Sequence, residues 1–289
     1  LNNSKKLQIE NDYETITDSD TTNQKISVQK KAKKKMKLIS YSLCILCMTF
    51  ILSNSIKAQP VIDFESGIVF TCYNDVRIPG DEGTFFSLAD DLKSKEKIFY
   101  RLRACYILKS RHTVSLLYAP LKTKSEGDAA TDILFEGKLF PANTPLTGAY
   151  KFNSYRLTYR YDLINKSKII FGLGLTAKIR DAAISLTSSD LSAEKTNIGF
   201  VPLINFNLRW KITDKAGLLL DGDALAAPQG RAEDILIAAT YKITDNINVR
   251  GGYRMLEGGA DNDEVYNFAL FHYASAGITY IFKNNAKAN

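Results

Sequence analysis

The sequence predicts an all-β fold: an up-and-down antiparallel transmembrane β-barrel of about ten strands, preceded by a signal peptide. Three observations carry this. Between residues 60 and 282, apolar and polar residues alternate with period two in successive segments, each long enough for the roughly 9 to 11 residues that a tilted bilayer-spanning strand needs. The segments are joined alternately by a tight polar turn and a longer polar loop, as in a closed barrel with minimal hairpins on one rim and long loops on the other. Their apolar faces are rich in tyrosine, which can bury its ring at a membrane interface while its hydroxyl stays wet.

Ahead of the barrel, Lys30, Lys31, Lys33, Lys34, Lys35 and Lys37 precede an apolar run from Leu38 to Ile56 that ends in Lys57-Ala58-Gln59. A basic n-region, an apolar h-region and a small residue at the cut make an export signal over residues 36–59, with cleavage expected after Ala58 or Gln59. The alternative is an uncleaved signal anchor, because the run is nearly long enough to span a bilayer. Lipidation fits less well, since neither Cys44 nor Cys47 follows a small residue. Residues 1–35 are polar and almost free of aromatics, so they are expected to form a disordered basic leader, with Met36 as the start of the exported chain. The net charge of +7 belongs mostly to this region: residues 1–59 hold ten of the 38 basic and five of the 31 acidic residues, which leaves the remainder nearly neutral. With no basic domain or basic stripe outside the leader, nothing argues for nucleic acid.

The expected strands are 63–74, 97–109, 111–123, 149–163, 168–180, 198–211, 215–226, 231–243, 247–257 and 267–282. Tight turns fall at Lys109-Ser110-Arg111, Asn165-Lys166-Ser167, Thr213-Asp214-Lys215 and Thr244-Asp245-Asn246, all of turn-prone polar residues. Longer connections follow strands one, three, five and nine, with a shorter one at Ala227-Pro228-Gln229-Gly230. This parity puts both ends of the barrel on the tight-turn rim, the periplasmic side of such barrels, and makes the strand number even.

Alternation then assigns faces. In strand four Tyr155, Leu157, Tyr159, Tyr161 and Leu163 point one way, and Ser154, Arg156, Thr158, Arg160 and Asp162 the other. Strand six sets Pro202, Ile204, Phe206, Leu208 and Trp210 against Asn205, Asn207, Arg209 and Lys211, and the last strand alternates down to Tyr280-Ile281-Phe282. The same parity places Cys72 on the outer face with Phe64, Ile68 and Phe70, and Cys105 on the inner face with Arg101 and Arg103. The two thiols are therefore expected to stay unbridged.

The export signal, the strand rhythm, the aromatic outer face and the terminal Tyr280-Ile281-Phe282 together resemble the small outer-membrane β-barrel proteins of Gram-negative bacteria, the porin-like superfamily. The resemblance covers about residues 60–282 and implies an outer-membrane location, contact with outer-membrane lipid and lipopolysaccharide, and insertion by the barrel-assembly machinery. In that superfamily the aromatic signal usually ends the chain, whereas here a polar tail, Lys283 to Asn289, follows. The architecture does not name a function, because pores, adhesins, anchors and enzymes all use it.

Inward parity collects Arg101, Arg103, Arg156, Arg160, Lys178, Arg180, Arg209, Lys211, Arg250 and Arg254 against Glu65, Asp162, Asp221, Asp223 and Asp234. A ten-stranded lumen is narrow enough for side chains to fill, so an ion-pair network plugging a structural or surface-interaction barrel is expected, and long loops favour the same role. The alternative is a narrow, anion-preferring pore lined by the surplus arginines. An envelope enzyme, an omptin-like protease or a lipid A-modifying barrel, would need a histidine beside carboxylates or a serine. His112 falls in a tight turn and His272 on the outer face, so no catalytic residue is assigned. The acidic, glycine-rich segments Asp75 to Gly83 and Gly258 to Glu264 lack the spacing of a calcium-binding hand and read as solvated loops. No nucleotide-binding loop occurs, and no cofactor or metal is expected.

Overall fold

The computed structural model describes residues 58–228 and 230–282, and the regular elements there are all strands. In chain order they are β1 (Ala58–Arg77), β2 (Phe86–Ser87), β3 (Lys93–Ser94), β4 (Lys97–Leu108), β5 (His112–Ala119), β6 (Lys122–Asp128), β7 (Ile133–Phe135) and β8 (Lys138–Phe140). The series continues with β9 (Pro145–Asn165), β10 (Ile169–Thr187), β11 (Ser192–Lys211), β12 (Ala216–Ala227), β13 (Gly230–Lys242), β14 (Ile247–Asp261) and β15 (Tyr266–Ile281). Each stave pairs antiparallel with the next, and β15 returns to β1 along Val61 to Arg77, so the sheet closes. Counting β5 and β6 as one interrupted stave gives a ten-stranded barrel.

The interruption has a local cause. Pro120 cannot donate to a ladder, and the expected third strand breaks there into β5 and β6. Pairing with β9 resumes at once, with Phe152 N–H donating to Leu121 O at 2.8 Å. The turn after β4 puts Lys109 and Ser110 at φ 50° and 61°, with Arg111 N–H donating to Leu108 O at 3.2 Å. That is the mirror-image turn whose twist matches paired strands. Gly67, at φ +149°, lies so close to β15 that an added Cβ would sit 2.0 Å from Ala274 O, beside the Phe99 ring.

Several boundaries differ from the sequence expectation. β1 begins at Ala58, inside the expected cleavage region, and the leader and the polar tail lie outside the described residues. Segments expected as loops around 181–197, 75–77 and 258–261 are strand, and the connections after β10 and β14 shrink to residues 188–191 and 262–265. Strands that project past the bilayer no longer need an apolar outer face, so the ladder continues while the outward apolar residues that mark a strand in sequence fade, although Val76, Ile184 and Leu186 still bury inward. The connections after β1 and β6 are long, and they carry β2, β3 and the β7–β8 hairpin.

The outer face is a belt of exposed apolar and aromatic side chains on every stave, among them Phe64, Leu102, Leu116, Leu157, Leu175, Ile204, Leu218, Ile237, Tyr253 and Ile278. Apolar exposure on that scale is stable only against lipid.

Candidate functional site

The inner face carries charged side chains from several strands. Arg101 and Arg103 come from β4, Arg156, Arg160 and Asp162 from β9, Arg209 from β11, Asp221 and Asp223 from β12, and Arg250 and Arg254 from β14. All ten of the proposed lining residues meet in the lumen, together with Glu65 of β1 and Asp234 of β13.

Their geometry is a network that crosses the barrel. Asp234 accepts from Arg101 at 2.8 Å and from Arg254, and its second partner across the lumen is Arg156 at 2.6 Å. Glu65 accepts from Arg254 Nε at 2.7 Å, Arg250 Nη2 at 2.9 Å and Ser275 Oγ at 2.9 Å. Asp223 accepts from Arg156 at 2.7 Å, Thr176 at 2.6 Å and Asn205 at 2.9 Å. A second chain runs Arg103 to Asp221 at 3.0 Å, Asp221 to Arg160 at 3.7 Å, and Asp162 to Arg209 at 2.9 Å. Glu65, Arg101, Arg156, Asp234 and Arg254 are each at most 5% exposed. Charges buried this deeply are tolerable only because almost every one has an opposite partner and further hydrogen bonds.

The sequence reading missed Asp63, Thr176 and Ser275, although Asp63 shares the parity of Glu65. Asp63 holds Arg250 through both carboxylate oxygens. Lys211, expected inside, sits at the short-turn rim and pairs with Asp214 at 3.0 Å.

Toward the long loops the filling changes. Val69, Phe99, Leu146, Tyr150, Leu186, Phe271 and Tyr273 point inward from the staves and pack with Phe86, Leu88, Leu92, Ile133, Phe135 and Phe140, which the two long connections carry in. From sequence these connections read as long polar loops, with only Asp75 to Gly83 among them read as solvated. The visible signal for the contrary was their clustered Phe and Leu, at Phe85-Phe86, Leu88 and Leu92, and again at Ile133-Leu134-Phe135 and Leu139-Phe140. The interior includes a cavity of about 510 Å³ toward the short turns, lined in part by Glu65, Arg101 and Arg254, and one of about 380 Å³ toward the long loops.

The remaining candidates lie elsewhere. His112 opens β5 rather than sitting in the turn, bonds Tyr159 Oη at 2.8 Å and packs on Tyr161, while His272 stacks on Tyr253 of the outer face. Cys72 and Cys105 are free thiols, the first exposed at a β-bulge in β1 and the second turned toward the lumen. The two acidic segments touch, through Gly80 N–H donating to Asp263 O at 2.8 Å. No group of three or more His, Cys, Asp or Glu placed to hold a metal occurs among the described residues.

A closed antiparallel ladder, an apolar belt and a charged lumen define the class: the chain is an outer-membrane β-barrel protein, the arrangement in which every backbone polar group is satisfied without an edge. No family model and no curated protein matches the sequence. Among solved structures, the chain is similar to the outer membrane protease OmpT from Escherichia coli, with 11% identity over 80% of this chain and 99% of that one, at a TM-score of 0.47. It is also similar to Neisserial surface protein A, with 15% identity over 76% and 97% of the two chains at a TM-score of 0.30. The attachment invasion locus protein Ail of Yersinia pestis matches with 9% identity over 78% and 99% at a TM-score of 0.34.

Proposed function

We propose that this protein is a closed outer-membrane barrel with a structural or surface-interaction role, and neither a diffusion pore nor an enzyme. The observation that carries the reading is the midsection, where Arg101, Arg156 and Arg254 each pair with Asp234 and all four side chains are buried. The loop-borne apolar cluster adds a second barrier. The belt fits outer-membrane lipid and lipopolysaccharide as surroundings, and insertion would require the barrel-assembly machinery. With both histidines on the outer face, no histidine stands beside a lumenal or rim carboxylate among the described residues, which argues against a protease or a lipid A-modifying enzyme that relies on one. A narrow anion-preferring pore is the reading that the surplus of inward cations favours. Planar-bilayer recording of the refolded, unmutated protein separates the two: a closed barrel conducts little, and a stable, sizeable conductance would overturn the proposal and make it a porin.

A further inference from the structure

The inward cations are not evenly matched. Those of the midsection have carboxylate partners, but on β10 Lys178 and Arg180 lie beyond the reach of the network acids, on the long-loop side. Lys178 is 2% exposed; its Nζ stands 4.6 Å from the centroid of the Phe152 ring, and no carboxylate among the described residues is in ion-pair contact with it. Arg180 donates Nη2–H to Asn197 at 2.6 Å, while its buried Nε has no partner. Asp223 and Asp234 are already occupied by Arg156, Arg101 and Arg254. Lys178 is taken out of water with no carboxylate in contact, which is costly, and the half-buried Arg180 stands two residues along the same face, so the pair marks a place where negative charge would be welcome.

Both cations line the 380 Å³ cavity, whose other walls include Tyr150, Phe152, Leu256 and Phe271. Tyr150 and Phe152 lie parallel, at 7° between planes, and Tyr150 stacks on Phe271 at 5.5 Å. Of the acids on the cavity wall, Glu257 is engaged by Arg231 at 2.7 Å, and Glu264 stands by the connection after β14, away from the Lys178 end. Lys195, also on the wall, is paired with Glu136 at 3.2 Å. The volume is near the lower end of the about 300 to 1,000 Å³ usual for small-molecule sites, too small for a long acyl chain. Flat aromatic walls with two unneutralised cations at one end describe a receptor for a flat, singly charged molecule.

We propose that this cavity is a binding site for a small aromatic carboxylate, with the carboxylate on Lys178 and Arg180 and the ring among Tyr150, Phe152 and Phe271. The ionic midsection lies on its short-turn side, so the cavity holds a ligand at the long-loop side and does not pass it on. That last point rests on the closed-lumen reading; the binding itself does not.

The test is calorimetric titration of the refolded barrel in a zwitterionic detergent with phenylacetate, and in parallel with the neutral phenylacetamide. Phenylacetate should bind saturably at one site, and the amide should bind about tenfold more weakly or worse, the equivalent of one charge-assisted hydrogen bond. Lys178→Met keeps the stem, removes the charge and should lose a similar factor. Ala182→Phe, which leaves both cations in place and fills the cavity wall, should abolish binding. Lys211→Met, at the opposite rim, should bind as the unmutated protein does. Absence of phenylacetate binding, equal affinity for the amide, or undiminished binding to Lys178→Met and Ala182→Phe would each overturn the site. Conductance, recorded separately, tests the closed lumen: a barrel that binds and also conducts would sink the closed-lumen reading alone.

Discussion

Toward the short turns the lumen is occupied by arginines and carboxylates rooted in the staves, whereas toward the long loops it is occupied by Phe86, Phe135 and Phe140, delivered by connections between staves. The difference is one of what is tied to what. Asp234 on β13 joins β4, β9 and β14 across the barrel, so the ionic half braces the circumference. The apolar half braces the connections against the barrel and leaves the staves joined by their own ladder. Removing a member of the first should loosen the cylinder, and removing a member of the second should release the loops.

The largest effect is expected from Asp234→Ala. It leaves Arg101, Arg156 and Arg254 facing one another without their shared carboxylate, and breaking a buried ion pair from one side costs about 3 to 5 kcal/mol. Urea unfolding in lipid vesicles, read by heat-modifiable gel migration, would measure it. Loss of stability no greater than for a surface substitution would mean that the midsection is not a brace.

Phe135→Ala should come next, at about 3 kcal/mol for a fully buried ring, with a different signature. Residues 78–96 and 129–144 should become sensitive to added protease while the folded barrel keeps its gel mobility. Equal loss of both would erase the distinction between the halves.

The two halves also differ in how legible they were. Period-two alternation gave all ten staves, and it sent Arg101, Arg156, Asp223 and Arg254 inward, because a strand has only two faces and lipid rejects charge. Pairing did not follow from parity: that Asp234 serves three arginines depends on where distant staves meet across the lumen. The apolar half was hidden for another reason. Phe86, Phe135 and Phe140 sit in segments with no period, so nothing local tells a solvated loop from one folded into a barrel mouth. Lys178 illustrates both limits, since its inward face was readable and its want of a carboxylate was not.

A third substitution sharpens the comparison from outside. Leu157, 49% exposed on the belt, should cost about 2 kcal/mol or more as Leu157→Arg near the bilayer midplane, with Leu157→Met nearly neutral. The same unfolding assay in vesicles would read both. If Leu157→Arg proved as mild as Leu157→Met, the lipid face would be misplaced and the two interior halves would not be an inside at all.

The smallest effect concerns the edge of the loop-filled half, where Glu126 of β6 accepts from Lys95 at 2.6 Å and Lys124 at 2.7 Å and so pins the β3 connection. Hydrogen bonds from Lys124 and Lys95 hold its carboxyl below the usual 4.5, at about 2. A carboxylate with a depressed value stabilises the fold above 4.5, and that contribution drains away as the pH falls from 4.5 through about 2. The group is exposed, so salt should weaken the effect. Hydrogen exchange across residues 93–96, corrected for the intrinsic pH dependence, should show protection declining in that window for the unmutated protein and flat for Glu126→Gln. A parallel decline in both would assign the acid sensitivity to another group. A flat profile in both would mean that the apolar cluster alone holds the connection, and that the loop-filled half owes nothing to charge even at its rim.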